Sequence, residues 1–453
     1  MAVNQPLGLQ IRRRSSLVFL KIYFQNRRDL VLNMPRQVSI TQSFALLIAL
    51  LPIMVLSEIG RTSAAFILLM CLSSYICIFK FDRNKAIYYF ANYRYLLVAL
   101  FLNAAVILVS SAYHGKFSGS DFERAIRLAA GVALFLGASL NLNVNVLKQA
   151  VWGFLIAVWV STYYVVMSAL VSFPERPDLD FIHNAVTYGN LLLLVTAISA
   201  FSIGWRLTPY KKVELVFKFL TVMVGLIGLV LTQTRGAWLA IPIFIIIGSL
   251  IFYRTVGWQK LIVSLGLAVL VLLGTFTASS SLRDRIATGF HETKECLSTN
   301  TLAFSSMCNR IQLWHASLSI FKQNPLLGSG STSNFSKALP SFVEQKIVSQ
   351  QVANEFGEPH SEFFQQLSAF GLFGFIALLM VYVAPGFIFL RRIISPKGDL
   401  SSKIGAGIGL CVCTGFFIFG LTELMFRTMH MVSLYAVMVG WALALSEPES
   451  IAS

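Results

Sequence analysis

Charge is what this chain is short of. Only 12% of its 453 residues are Asp, Glu, Lys or Arg, against about a quarter in soluble globular proteins. The deficit is deepest among acids, with 20 Asp and Glu facing 36 Lys and Arg. So few charges cannot cover the several soluble domains that this length would otherwise suggest. Cysteine is scarce as well, six in all, and no spacing among them suits a metal site. Tandem repeats are missing. So are the short segments of alternating polarity that build outer-membrane barrels, which excludes that class. The first 38 residues lack an apolar core ending at a small-residue cleavage site, so no cleavable signal peptide is expected.

What fills the chain instead is apolar sequence, 56% of all residues. From Ser39 to Leu445 it recurs in runs of about 17–25, each long enough to cross a hydrocarbon core as a helix. The fold class is therefore an all-α polytopic membrane protein. Twelve spans are expected, near 39–57, 63–79, 95–112, 125–141, 147–172, 185–204, 213–232, 236–252, 260–278, 363–390, 403–421 and 428–446. This divides the chain into a basic N-terminal segment (1–38), nine spans (39–278), one long connection (279–362), three spans (363–446) and a short tail (447–453).

A formal charge of +16 would suggest a nucleic-acid partner in a soluble protein. Here the basic residues sit in short connections and report topology, so no nucleic acid is expected. Lys80, Arg83, Lys85, Arg94, Arg206, Lys211, Lys212, Arg254, Lys260, Arg391, Arg392, Lys397 and Lys403 all fall on the side of the N-terminus. The opposite short connections hold few. Positive charge marks the cytoplasm, which places both termini there and the long connection outside. Arg12, Arg13, Arg14, Lys21, Arg27, Arg28 and Arg36 form a basic segment that either touches anionic lipid heads or is a tail that only fixes orientation.

The long outer connection reads as a folded loop. In RIQLWHASLSIF, Ile311, Trp314, Leu318 and Phe321 recur at helical spacing and predict one apolar stripe, with Asn324-Pro325 closing the helix. Cys296 and Cys308 share this loop, and in an oxidising compartment they are candidates for a disulfide. Asp178-Leu179-Asp180 is an outer D-x-D, a pattern too common to predict a metal. Glu423 and Arg427, four apart, read as a helix-end ion pair.

A few outer residues carry chemistry. Arg235 stands in TQTRGAWLA at a tight outer junction, where a cation anchors at the interface or holds an anion; Gly236 beside it lets a ligand approach the backbone. Arg310 opens the loop helix, an unfavourable place for a cation, so it either meets an external anion or is a solvated loop arginine. His360, in EPHSEFFQQLSAFGLFG, is a candidate general base, with Glu358 and Glu362 on either side as groups able to orient its ring.

In these three stretches, TQTRGAWLA at 232–240, R-I-x-L-W with NPLLGSGSTSNF through 310–335, and PHSEFFQQLSAFGLFG at 359–374, the sequence resembles the O-antigen ligase family. That family lies within a larger group of periplasm-facing ligases and Wzy-type polymerases. The resemblance implies a GT-C-type glycosyltransferase of the Gram-negative inner membrane with a large helical periplasmic loop. Its donor would be a glycan on undecaprenyl pyrophosphate and its acceptor the lipid A–core. By the same resemblance Arg235 and Arg310 would bind the pyrophosphate and His360 would be the base. Trp314 and Glu362 are further candidate substrate contacts. No metal or other cofactor is expected. One departure is visible: the family often has Asn after this His, and here Ser361 stands there, without an orienting amide. A single large outer loop favours ligase over polymerase. A protein O-glycosylating ligase would usually carry a larger C-terminal region. A transporter would place its charges near the midplane, where these spans have none. Monomer and homodimer are both left open.

Overall fold

A computed structural model describes residues 40–257 and 302–447, except 58–61, 81, 173–176, 180–181 and 397, with isolated residues between 258 and 301. Among the described residues there is helix and no strand. The principal helices are α1 (Ile40–Val55), α2 (Thr62–Phe79), α3 (Arg83–His114), α4 (Gly119–Ser139), α5 (Val144–Ser172), α6 (Ala185–Gly204), α7 (Lys211–Thr232), α8 (Arg235–Trp238) and α9 (Ile241–Val256). The long connection then contributes α10 (Ser306–Gln323), α11 (Asn334–Glu344) and α12 (Gln350–Glu355), and the chain returns through α13 (Glu362–Ile394), α14 (Leu400–Gly420) and α15 (Met429–Leu445). Seven of these, α2, α3, α5, α6, α7, α13 and α14, are long and apolar enough to cross a membrane. Helices lie at eleven of the twelve expected spans; of the remaining stretch, 260–278, only Ile262 and Gly266 are described.

Burial sorts the helices. α6 and α14 are buried over 78% and 83% of their apolar windows, whereas α2, α3 and α7 are buried over 33%. A helix apolar on every side belongs at the centre of a bundle or against lipid. α6, α14 and α15 form that centre, and the outward Leu, Ile and Phe of α2, α3 and α7 face the surroundings.

Hydrogen bonds between connections show which helix ends lie together. At one end Lys85 Nζ donates to Leu140 O (3.3 Å), Gln149 Nε2 to Leu207 O (3.1 Å) and Trp205 Nε1 to Ser401 O (3.2 Å). Arg392 pairs there with Glu447, which also accepts from Tyr93. These are the basic connections of the sequence. At the other end His183 Nε2 meets Val55 O (2.9 Å), Thr234 Oγ1 donates to Ala185 O (3.0 Å) and Ser110 Oγ to Leu327 O (2.9 Å).

The long connection has its own small core, in which Leu313, Ala316 and Ile320 of α10 pack on Phe335, Leu339, Phe342, Val348 and Val352. The helix expected from RIQLWHASLSIF is present, but its buried face is Asn309, Gln312, Leu313, Ala316, Ser317 and Ile320. Ile311, Trp314, Leu318 and Phe321 are only half-buried. Polar residues take the inner face because they brace the chain: Gln312 donates to Ala303 O (3.1 Å) and accepts from Ser349 N (2.8 Å). The structure joins Cys296 and Cys308 by a disulfide, Cα atoms 5.7 Å apart, which ties the start of α10 to the segment before it.

This unit is seated on the bundle by a break in α13. Gly371 has φ 64° and ψ −156°, a conformation for which glycine is nearly obligatory. The break frees backbone groups, and the segment after α10 takes them up. Ser329 N donates to Ser368 O (2.9 Å), Gly330 N to Ala369 O (2.8 Å) and Leu372 N to Pro325 O (2.8 Å). Irregular backbone is tolerated there because protein covers it. Asp121 of α4 fixes the same segment, accepting from Thr332 N (3.1 Å), Thr332 Oγ1 (2.6 Å) and Ser331 Oγ (3.0 Å).

Candidate active site

The site is built where α8, α10, the start of α13 and the connection between α14 and α15 converge. His360 has φ 48°, left-handed backbone that is uncommon outside glycine. That turn carries its ring away from its sequence neighbours and onto the connection after α14. Its Nδ1 lies 3.4 Å from Glu423 Oε1, and the Glu423 side chain is 2% exposed. The ring also meets Phe356 edge-on, centroids 5.3 Å apart.

The orienting carboxylate is therefore Glu423, where the sequence suggested Glu358 or Glu362. Glu358 Oε1 instead pairs with Arg427 Nε at 2.9 Å. Glu362 is buried and accepts from Phe426 N at 2.9 Å. The helix-end pair expected between Glu423 and Arg427 is accordingly replaced: each reaches across to the His360 turn. Ser361, the residue before α13, donates through Oγ to Gly420 O (3.3 Å), a brace between the same two segments.

Burial alone would raise the Glu423 carboxyl, but the His360 hydrogen bond and charge, the Leu424 N–H and Arg310 outweigh it and hold the group below the usual carboxylate range. For Glu358 the balance goes the other way: burial pushes it up, in spite of Arg427 and His360.

Arg310 lies in the second turn of α10, whose cap is Ser305, so it does not open the helix as the sequence suggested. Its Nη1 donates to Ser306 Oγ (3.1 Å), and it is close enough to Glu423 to stabilise that charge. One turn further on, Trp314 stacks on Phe364 (centroids 5.0 Å, planes 15° apart), and its Nε1 donates to Pro359 O (3.1 Å). Trp314 thus clamps α10 onto the residue before His360, which fixes Arg310 relative to the imidazole.

Arg235 is the first residue of α8. α7 ends at Gln233 in left-handed backbone (φ 52°), and a buried Thr234 ties the turn to α6. A side chain at Gly236 would come 3.0 Å from Thr422 Oγ1, the neighbour of Glu423. The backbones that carry Arg235 and His360 thus both approach the 420–424 connection, where the charge of Arg310 acts on Glu423, although the three are far apart in sequence.

A cavity of about 190 Å3 opens beside this turn, with Asp121, Arg124, Glu358, Glu362, Gln366 and Arg427 among its walls. Asp178 of the outer D-x-D accepts from Ser168 Oγ through its backbone carbonyl (2.7 Å), and Asp180 lies outside the described residues. Among the described residues no group of three or more His, Cys, Asp or Glu is arranged to hold a metal.

Residues 220–379, from α7 to the middle of α13, match the family model described as O-Antigen ligase. A Haemophilus influenzae protein described as uncharacterized is 24% identical over 229 residues, 48% of this chain and 54% of that protein. This chain thus spans about half the length of that relative. The matched region contains Arg235, Arg310 and His360 and excludes Glu423, Arg427 and Asp121. The matched region, which carries both arginines and the histidine, is thus similar to the O-antigen ligase family.

Proposed function

We propose that the protein is an O-antigen ligase of the inner membrane, with twelve spans and a GT-C-type architecture. It transfers a glycan from undecaprenyl pyrophosphate to the lipid A–core on the periplasmic face. The observation that carries this reading is the buried Glu423 holding Nδ1 of His360, on a turn that α10 clamps through Trp314. In a neutral imidazole whose Nδ1–H donates to Glu423, Nε2 is the bare nitrogen and the one able to take a proton.

In the proposed reaction an acceptor hydroxyl attacks the anomeric carbon of the donor. The new C–O bond forms as the bond to pyrophosphate breaks, and the proton passes to His360 Nε2. The lipid pyrophosphate leaves with the electron pair. Arg235 and Arg310 offset its growing charge, for which a planar guanidinium fork is well suited. Two such cations make the transfer independent of metal. Attack opposite the leaving group inverts the anomeric carbon.

Deleting the gene in its host and resolving the lipopolysaccharide by electrophoresis tests this reading. A ligase leaves only uncapped core, while long glycan accumulates on the lipid carrier. A surviving single-repeat band, with the longer ladder lost, would make the protein a Wzy-type polymerase.

A further inference from the structure

We propose that the cavity beside His360 is the acceptor-sugar subsite, built for one neutral sugar ring. This rests on the transferase reading above and adds where the nucleophile sits.

The cavity lies between α3, α4, the first turns of α13 and the connection before α15, with Thr332 and Ser333 at its rim. Its volume of about 190 Å3 equals about six waters at liquid density, room for a sugar ring.

Charge decides against a phosphate occupant. Two guanidiniums, Arg124 and Arg427, face three carboxyls, Asp121, Glu358 and Glu362, so the walls carry no positive excess. Both cations already have partners: Arg124 reaches Asp121 at 3.4 Å and Arg427 reaches Glu358 at 2.9 Å. What the walls offer instead is unmet acceptance. Gln365 and Gln366 are 5% and 9% exposed, and neither Oε1 has a hydrogen-bond partner. A buried amide oxygen left so is destabilising, and it calls for a donor from the ligand. A sugar hydroxyl both donates and accepts, which suits amide oxygens set among carboxylates and guanidiniums. Leu424 and Phe426 add an apolar side for the C–H face of a ring.

Position relative to His360 selects acceptor over donor. Glu358 and Glu362, two residues to either side of the histidine, line the cavity. The general base is thus carried on the same turn as two of the cavity's walls, and those walls carry no positive excess for a pyrophosphate. In an in-line displacement the nucleophile and leaving group occupy opposite sides of the reacting carbon, so the cavity falls to the nucleophile.

The test uses the full chain in lipid nanodiscs, with undecaprenyl-pyrophosphate-linked glycan as donor and lipopolysaccharide lacking O-glycan as acceptor. Gln366→Leu and Arg427→Gln are each expected to raise the acceptor KM about three- to tenfold and to move the donor KM less than twofold. An unchanged acceptor KM, or a donor KM that rises equally, overturns the assignment. A second measurement does not depend on those variants folding. Ser333→Cys at the rim is labelled with a membrane-impermeant maleimide, against the parent chain. Free core oligosaccharide is expected to slow labelling about fivefold or more, and the donor alone is not. Protection by donor only, or by neither, refutes the subsite. If the wild-type chain transfers nothing, both readings fall; if it transfers and these responses are absent, only the subsite does.

Discussion

A base that takes a proton from a sugar hydroxyl must keep one imidazole nitrogen bare, and at His360 that task falls to Glu423. Removing the ring altogether is the severe test: His360→Ala should lower transfer by about 10²- to 10⁴-fold, the usual worth of a general base. Glu423→Gln keeps a hydrogen-bond acceptor and loses the charge, so a loss of about tenfold is expected, roughly the gap between a charge-assisted and a neutral hydrogen bond. Equal activity in the two variants would detach Glu423 from the mechanism. The same residue carries a pH signature. Its carboxyl is held low in the fold, while the unfolded chain takes up a proton at the ordinary value. Pairing therefore contributes stability that is complete above the ordinary value and is lost as pH falls through the lowered one. The melting temperature of the wild type should exceed that of Glu423→Gln at pH 7, and the two should converge on acidification. A gap that stays constant with pH would mean that Glu423 is not the charged partner.

At the scale of elements, the break in α13 decides whether the outer unit sits on the bundle. Gly371 leaves no room: an added Cβ would lie 2.4 Å from the carbonyl carbon of Leu326, in backbone that other residues scarcely adopt. Gly371→Ala should cost about 1–3 kcal/mol from backbone strain alone, read as a lower melting temperature in size-exclusion thermostability. It should also weaken transfer, since α10 and Arg310 precede the segment that docks on the break. Full stability in this variant would show the break to be dispensable. How far such features could be read from sequence follows from their range. The helices were legible because an apolar run long enough to cross a membrane needs no partner to declare itself. Arg235, Arg310 and His360 stood out as charges where the outer side has few. The stretch NPLLGSGSTSNF stands out in the sequence, but its docking onto residues 368–373 does not, because that pairing is made across the fold. Glu423 went unrecognised for the same reason: its partner is 63 positions away, and the nearer Arg427 offered a plausible mate. The buried face of α10 is not legible in the sequence, because apolarity signals burial whereas Gln312 holds the interior by hydrogen bonding.

At the scale of the whole molecule, the two ends differ in kind. One gathers the basic connections, with Lys85, Trp205, Arg392 and Glu447 interlocked; the other gathers the His360 turn, the arginines and the cavity. Which end faces the periplasm sets the reaction class, since only there is a lipid-linked pyrophosphate glycan the expected donor. Positive charge resists translocation, so the basic end should be cytoplasmic and the site outside. Single cysteines report this directly. Ser336 lies on the exposed face of α11 and Lys211 is exposed at the start of α7, at opposite ends. In intact spheroplasts a membrane-impermeant maleimide should label Ser336→Cys and spare Lys211→Cys, counted against the parent with its own cysteines. Lysis should then make Lys211→Cys react as well. The reverse pattern would put the histidine and both arginines in the cytoplasm, where the proposed donor and acceptor do not present their sugars, and the ligase reading would fall whatever the point mutants do.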